Sequence, residues 1–125
     1  MRLLLDTQVL LWWLPDDPAL SPAVRATINT EPEVFVSAAS VWEVGIKVAL
    51  GKLETPGHLG EQVDAEGFRR LPIDFTHAAA AGALPRHHDD PFDRILIAQA
   101  QCEGLTLVTS DRAFPAYGVP LLAAS

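Results

Sequence analysis

The stretch DPFDRILIAQAQCEGLTLVTSD, from Asp90 to Asp111, holds a complete helix-to-strand passage and decides the fold. Asp90 is a residue type that caps helix N-termini, and Pro91 stands at the first helical position, where its missing N–H is no loss. The helix predicted from this start runs to Glu103, and Gly104 supplies the stop. Leu105 to Val108 follows as a continuous apolar run of strand length. A run without polar alternation suits a parallel strand buried on both faces. Leu3-Leu4-Leu5 and Val34-Phe35-Val36 are two more such runs. A weaker one, Val119 to Leu122, contains Pro120, which implies a sheet edge.

Helical patterns fill the gaps. Thr7 to Leu14 follows the first run, and Ser21-Pro22 opens a second helix with Ser as N-cap. Residues 38–50 predict a third helix, stopped near Gly51. A fourth spans about Leu59 to Phe68, and an alanine-rich fifth spans Thr76 to Leu84 and ends at Pro85. Strands alternating with helices predict an α/β, three-layer domain with a central parallel sheet flanked by helices, formed by residues 1–125 as one domain.

Composition agrees. The 125 residues are 49% hydrophobic and 20% charged, enough apolar material for one buried core. The single cysteine, Cys102, has no internal partner, as expected of a reducing, cytoplasmic setting. Met1-Arg2 leads straight into leucines ended by Asp6, so no secretory signal is read. The longest apolar stretch, Val9 to Leu14, is too short to span a bilayer, so no membrane association is expected. Sixteen acids against nine bases give a net charge of −7. Proteins that grip nucleic acid through phosphates usually present a basic surface. The acidity therefore excludes nucleic acid as ligand unless the acids gather where bound cations reverse the local sign.

In open α/β sheets, ligands bind beyond the carboxyl ends of the strands. Asp6 ends the first strand, Asp111 follows the Leu105–Val108 strand, and Asp93 begins the helix feeding it. Glu43 lies one turn into the helix after Val34–Val36 and can reach the same end. Converging carboxylates repel unless cations neutralise them. An all-oxygen set suits Mg²⁺ or Mn²⁺ rather than zinc. Each acid also has a purely structural reading. Asp6 and Asp90 suit helix capping, and Asp93 can close a capping box. Glu43 precedes Lys47 by four residues, as in a helix-surface ion pair. Asp111 can cap the segment through Ala113 and Phe114.

Taken together, Leu4-Leu5-Asp6-Thr7, Ser40-Val41-Trp42-Glu43, Asp90 to Ala100 and Val108-Thr109-Ser110-Asp111 resemble the PIN-domain ribonucleases. Within these they resemble the VapC-type toxins of type II toxin–antitoxin pairs, over essentially the whole chain. The resemblance implies that Asp6, Glu43, Asp93 and Asp111 are metal-site residues, and that Thr109 is a hydroxyl orienting a metal-bound water. It further implies a Mg²⁺ or Mn²⁺ cofactor, an RNA substrate cut to leave a 5′-phosphate and a 3′-hydroxyl, a homodimer, and inhibition by a VapB-type antitoxin.

Other residues have two readings. His87 and His88 precede the Asp90–Asp93 motif and either touch RNA or belong to a solvated loop. Arg94 meets a phosphate or pairs with a local acid. Arg69-Arg70, Lys47 and Lys52 are RNA contacts or exposed charges. Trp12 and Trp13, on a helix apolar all round, are buried either in the core or in a dimer contact, and the dimer contact is the expectation. Two competing functions remain. One is a non-catalytic binding domain. The other is an Asp-dependent phosphatase with Asp6 as nucleophile, which is weakened because Gln8 stands where the dehalogenase-like enzymes need a second aspartate.

Overall fold

A computed structural model describes residues 1–55, 57–111 and 114–125. Five strands alternate with six α-helices: β1 (Arg2–Leu5), α1 (Thr7–Trp13), α2 (Pro22–Thr30), β2 (Glu33–Ser37), α3 (Ala38–Ala49), α4 (Leu59–Ala65), β3 (Arg69–Leu71), α5 (Phe75–Ala83), α6 (Pro91–Glu103), β4 (Thr106–Thr109) and β5 (Leu121–Ala123). A short 3₁₀ turn, Phe114–Tyr117, precedes β5. The sheet order is β3-β2-β1-β4-β5, and every neighbouring pair is parallel.

β1 is central because its Leu3–Leu5 run, after the exposed Arg2, has no polar face to offer water. Leu3, Leu4 and Leu5 are all fully buried. Their side chains alternate between two cores, as a strand's period of two requires. Leu3 and Leu5 join Val34, Val36 and Val108 with apolar residues of α1 to α4. Leu4 joins Leu107, Phe114 and the α6 residues Leu96, Ile97 and Ala100. This is the three-layer arrangement expected from the sequence.

The α6 passage folds as read. The Asp90 carboxylate accepts the Phe92 N–H, and Gly104 closes the helix at φ 66°. Ser21 caps α2 with Pro22 in the first turn. β5 is an edge strand, although it begins after Pro120. Three differences have clear causes. The fourth helix ends at Ala65, because the chain turns through Gly67 at φ 77° and forms β3. The sequence carries no apolar run to announce β3: it is three residues long, lies at the sheet edge and exposes Arg69 and Arg70. The fifth helix begins earlier than Thr76, because Asp74 caps it in a reciprocal capping box with His77.

The chain steps outward from β1 through β2 to β3, then crosses back to place β4 on the other side of β1. The crevice beyond the carboxyl ends of β1 and β4 is thus the point where strand order reverses, the usual ligand position in such sheets.

Candidate active site

Asp6 leaves β1 at this crevice. Its N–H donates to the Val108 carbonyl at 3.0 Å, extending the β1–β4 ladder by one residue. One carboxylate oxygen caps α1 by accepting the Val9 N–H at 2.7 Å. The other accepts the Thr109 hydroxyl at 2.5 Å, and Thr109 Oγ1 in turn accepts the Asp111 N–H at 2.9 Å. Asp6 is therefore both the helix cap of the structural reading and a member of the cluster. Burial pushes its carboxyl up to about 6, against the lowering effect of Thr109 and Val9.

Glu43 reaches the crevice from α3. Its Oε1 accepts the Thr7 hydroxyl at 2.7 Å, and Thr7 Oγ1 lies 3.0 Å from Ser40 Oγ. Its Oε2 pairs with Lys47 at 3.2 Å, so the helix-surface ion pair also exists, although the Glu43 side chain is only 13% exposed. Asp93, in the first turn of α6, completes no capping box there; Asp90 caps the helix alone. Burial pushes Asp93 up to about 7, helped by the charges of Asp90, Asp111 and Glu43 and opposed by His88. The capping segment expected after Asp111 includes Ala113, which lies outside the described residues.

Asp6, Glu43, Asp93 and Asp111, with Thr7, Lys47 and Asp90, line one open pocket of about 360 Å³. The structure thus brings the four sequence-predicted acids to one place. A more apolar groove of about 440 Å³ between β2, α3 and α4 has Arg70 as its titratable lining residue and gathers no acids.

His88 is the site residue that sequence reasoning undervalued. It is half-buried, not a solvated loop residue, and its Nε2 lies 3.0 Å from Oδ2 of both Asp93 and Asp111. Its Nδ1 accepts the Asp90 N–H at 3.1 Å. Burial disfavours the imidazolium, but the Asp111 hydrogen bond and the charges of Asp93, Asp111 and Asp90 outweigh it and raise the pKa. The Asp90 N–H pulls the other way, since it needs a lone pair on Nδ1. Neighbouring His87 is exposed and stacks edge-on against Tyr117.

Arg94 forms no ion pair with an acid among the described residues. Its guanidinium donates to the carbonyls of Ala81, Leu84, Pro85 and His88 at 2.8–3.2 Å. It therefore binds the end of α5 and the following loop to α6. Carbonyl acceptors carry no side-chain signature, which is why the sequence did not reveal this. Arg69 pairs with Glu33, and Arg70 grips Asp64 with two nitrogens. Trp13 is partly buried: its ring packs on Phe68 at 5.6 Å beneath the Arg25 guanidinium. Trp12 packs against the same core.

A second cluster joins His77 Nε2 to Glu103 at 3.0 Å. The other ring nitrogen of His77 already serves the Asp74 capping box, so this cluster reads as a helix-to-helix tie.

Residues 3–120 match the PIN domain family. The chain is 35% identical to Ribonuclease VapC22 of Mycobacterium tuberculosis over a 117-residue alignment, covering 87% of this chain and 86% of that one. Its fold is similar to that of a Klebsiella pneumoniae toxin–antitoxin complex, with TM-score 0.70 and 20% identity, covering 99% and 98% of the two chains. It is also similar to VapBC2 of Rickettsia felis bound to a promoter DNA fragment, with TM-score 0.69 and 15% identity over 98% of each chain. FitAcB of Neisseria gonorrhoeae gives TM-score 0.68 at 23% identity over 98% of each chain. With the parallel sheet, the crevice and this coverage together, the chain belongs to the PIN-domain family, in its VapC-type ribonuclease branch.

Proposed function

We propose that this chain is a metal-dependent endoribonuclease, a VapC-like toxin that hydrolyses RNA phosphodiester bonds at the Asp6, Glu43, Asp93 and Asp111 cluster. The observation that carries this reading is the convergence of four carboxylates from four separate parts of the chain on one pocket at the strand-order reversal. The similarity to Ribonuclease VapC22 supports RNA as the substrate.

The donor set fits a hard divalent cation. Carboxyls raised to about 6 and about 7 by burial and mutual charge are groups that a cation would stabilise in their ionised form. Asp6, Glu43, Asp93 and Asp111 would hold Mg²⁺ or Mn²⁺. When bound, such a cation lowers the pKa of a coordinated water and neutralises charge developing at phosphorus. The protein's own part is orientation. Thr109 fixes one oxygen of Asp6 and the backbone of Asp111 together, and the Val9 N–H fixes the other oxygen of Asp6. Thr7, itself against Ser40, holds Glu43.

A phosphatase using Asp6 as nucleophile is disfavoured, since both its oxygens are hydrogen-bonded and the residue is 6% exposed. A homodimer and a VapB-type antitoxin belong to the same proposal. The toxin–antitoxin complexes among proteins of the same fold support the antitoxin. No helix among the described residues is long and apolar enough to cross a membrane.

The test is cleavage of single-stranded RNA by the purified chain with Mg²⁺, with Mn²⁺ and with EDTA, beside Asp6→Asn and Asp93→Asn. Cleavage requiring metal and both acids is expected. A folded wild type that binds RNA without cutting it would favour the non-catalytic binding domain. Undiminished cleavage by both variants would refute the site.

A further inference from the structure

His88 stands at the centre of the acidic cluster, and its surroundings decide what it does there. The Asp90 N–H donates to Nδ1 at 3.1 Å, which requires a lone pair on that nitrogen. In the neutral ring the proton then resides on Nε2. Histidines that ligate a metal show the reverse arrangement, with the far nitrogen donating its N–H to a carboxylate or carbonyl. Here Nε2 donates to Oδ2 of Asp111 at 3.0 Å and lies 3.0 Å from Oδ2 of Asp93 as a charge contact.

We propose that His88 is a positioning residue: its Nε2–H ties Asp93 at the start of α6 to Asp111 after β4, and leaves metal coordination to carboxylate oxygens rather than to the imidazole. This rests on the metal-dependent reading above and deepens it.

The ring is held from several sides. Arg94 grips the His88 carbonyl at 3.2 Å and three neighbouring carbonyls, which anchors the loop from behind. The Phe114 ring lies 5.9 Å from the imidazole. The Asp111 backbone is itself fixed through Thr109. One imidazole nitrogen thus faces two acids from distant parts of the chain. Asp111 stands two residues beyond the end of β4. Carboxylate ligands elsewhere depend on outer hydrogen bonds of this kind, and losing one commonly costs 10- to 100-fold in metal affinity.

The experiment is Mn²⁺ titration of the full chain, with free Mn²⁺ read by electron paramagnetic resonance and ¹⁴N coupling read by electron spin echo modulation. The variants are Asp93→Asn, His88→Phe, His88→Ala and His88→Gln. His88→Phe keeps ring volume beside Phe114 and removes the donor. His88→Gln returns an N–H near the Nε2 position. Wild type should bind Mn²⁺ without a directly coordinated nitrogen, and Asp93→Asn should lose binding. His88→Phe and His88→Ala should bind roughly 10- to 100-fold more weakly, and His88→Gln should recover most of the loss. Circular dichroism establishes which variants are folded; if His88→Phe is not, the Ala and Gln pair carries the comparison. Wild-type affinity in the donor-less variants would overturn the positioning role and leave the metal reading standing. Directly coordinated nitrogen in the wild type would overturn it in favour of an imidazole ligand. Failure of the wild type to bind would overturn the metal reading, and this role with it.

Discussion

Thr109 donates its hydroxyl to Asp6 at 2.5 Å and accepts the Asp111 N–H at 2.9 Å, so one side chain joins the carboxyl ends of two neighbouring strands to two of the candidate acids. The relationship can be tested by an isosteric change. Thr109→Val keeps the shape, strands a buried Asp6 oxygen, and should cost about 1–3 kcal/mol in urea unfolding. Because the Thr109 bond lowers the Asp6 pKa, its loss should also move the pH dependence of cleavage upward. Thr109→Ser should restore most of both. A Val variant with unchanged stability and pH profile would show that the bond contributes nothing.

The raised carboxyls predict how stability responds to pH. Asp93 titrates near 7 in the fold against 3.8 unfolded, and Asp6 near 6 against 3.8. Between about 4 and 7 the folded state holds protons that the unfolded state has released, so metal-free stability should fall as pH rises through that window. The raised His88 acts in the same direction above 6.5, since its advantage is lost as the ring deprotonates. Urea melts in EDTA at pH 5 and pH 8 measure this, and Asp93→Asn should flatten the dependence. Saturating Mn²⁺ should reverse it at the upper end. A ligand at a hundredfold excess over Kd adds about 2.7 kcal/mol, and affinity rises as the acids ionise. A stability that rises between pH 5 and 8 in EDTA would contradict the geometry of the cluster.

The two tryptophan regions make opposite predictions. Trp13 is sandwiched between Phe68 and Arg25, whereas Trp42 on α3 is 65% exposed and meets the Phe92 ring edge-on at 5.0 Å. Trp13→Glu should destabilise the fold by up to ~3–5 kcal/mol, the range for removing a large core aromatic. Trp42→Glu should leave the melting temperature nearly unchanged, and should shift the proposed homodimer towards monomer in sedimentation. A Trp13→Glu protein that melts like wild type would return that residue to the role of a partner contact.

These contrasts show what the sequence made legible. Leu3–Leu5 reads as a central strand because burial on both faces forces every position to be apolar. The α6 start reads because capping is local chemistry, confined to Asp90 and the residues beside it. Asp6 and Asp111 read as site residues because the ends of such strands define the crevice. Arg69–Leu71 did not read as a strand, because an edge strand of three residues needs no apolar pattern. The packing partners of Trp13 did not read, because nothing nearby in sequence announces Phe68 or Arg25. His88 and Arg94 act through groups assembled from α5, α6 and the β4 end, and only the fold brings those together.

Glu43 offers the sharpest separation of support from chemistry. Its ion pair with Lys47 at 3.2 Å involves a lysine side chain that is 42% exposed, and such helix pairs are worth only ~0.3–0.5 kcal/mol. Glu43→Gln keeps an oxygen to accept the Thr7 hydroxyl, so unfolding free energy should change by less than about 1 kcal/mol. If Glu43 is a metal-site carboxylate, RNA cleavage should nevertheless fall by orders of magnitude. Lys47 provides the internal control. An incoming cation must share Glu43 with that ammonium group, so Lys47→Gln should tighten Mn²⁺ binding, by no more than the several-fold that an exposed pair's ~1 kcal/mol ceiling allows. Cleavage rates at limiting and saturating metal, measured beside urea melts for both variants, separate the cases. Small losses of stability and activity alike in Glu43→Gln would reduce Glu43 to a surface partner of Lys47. The site would then contract to Asp6, Asp93 and Asp111.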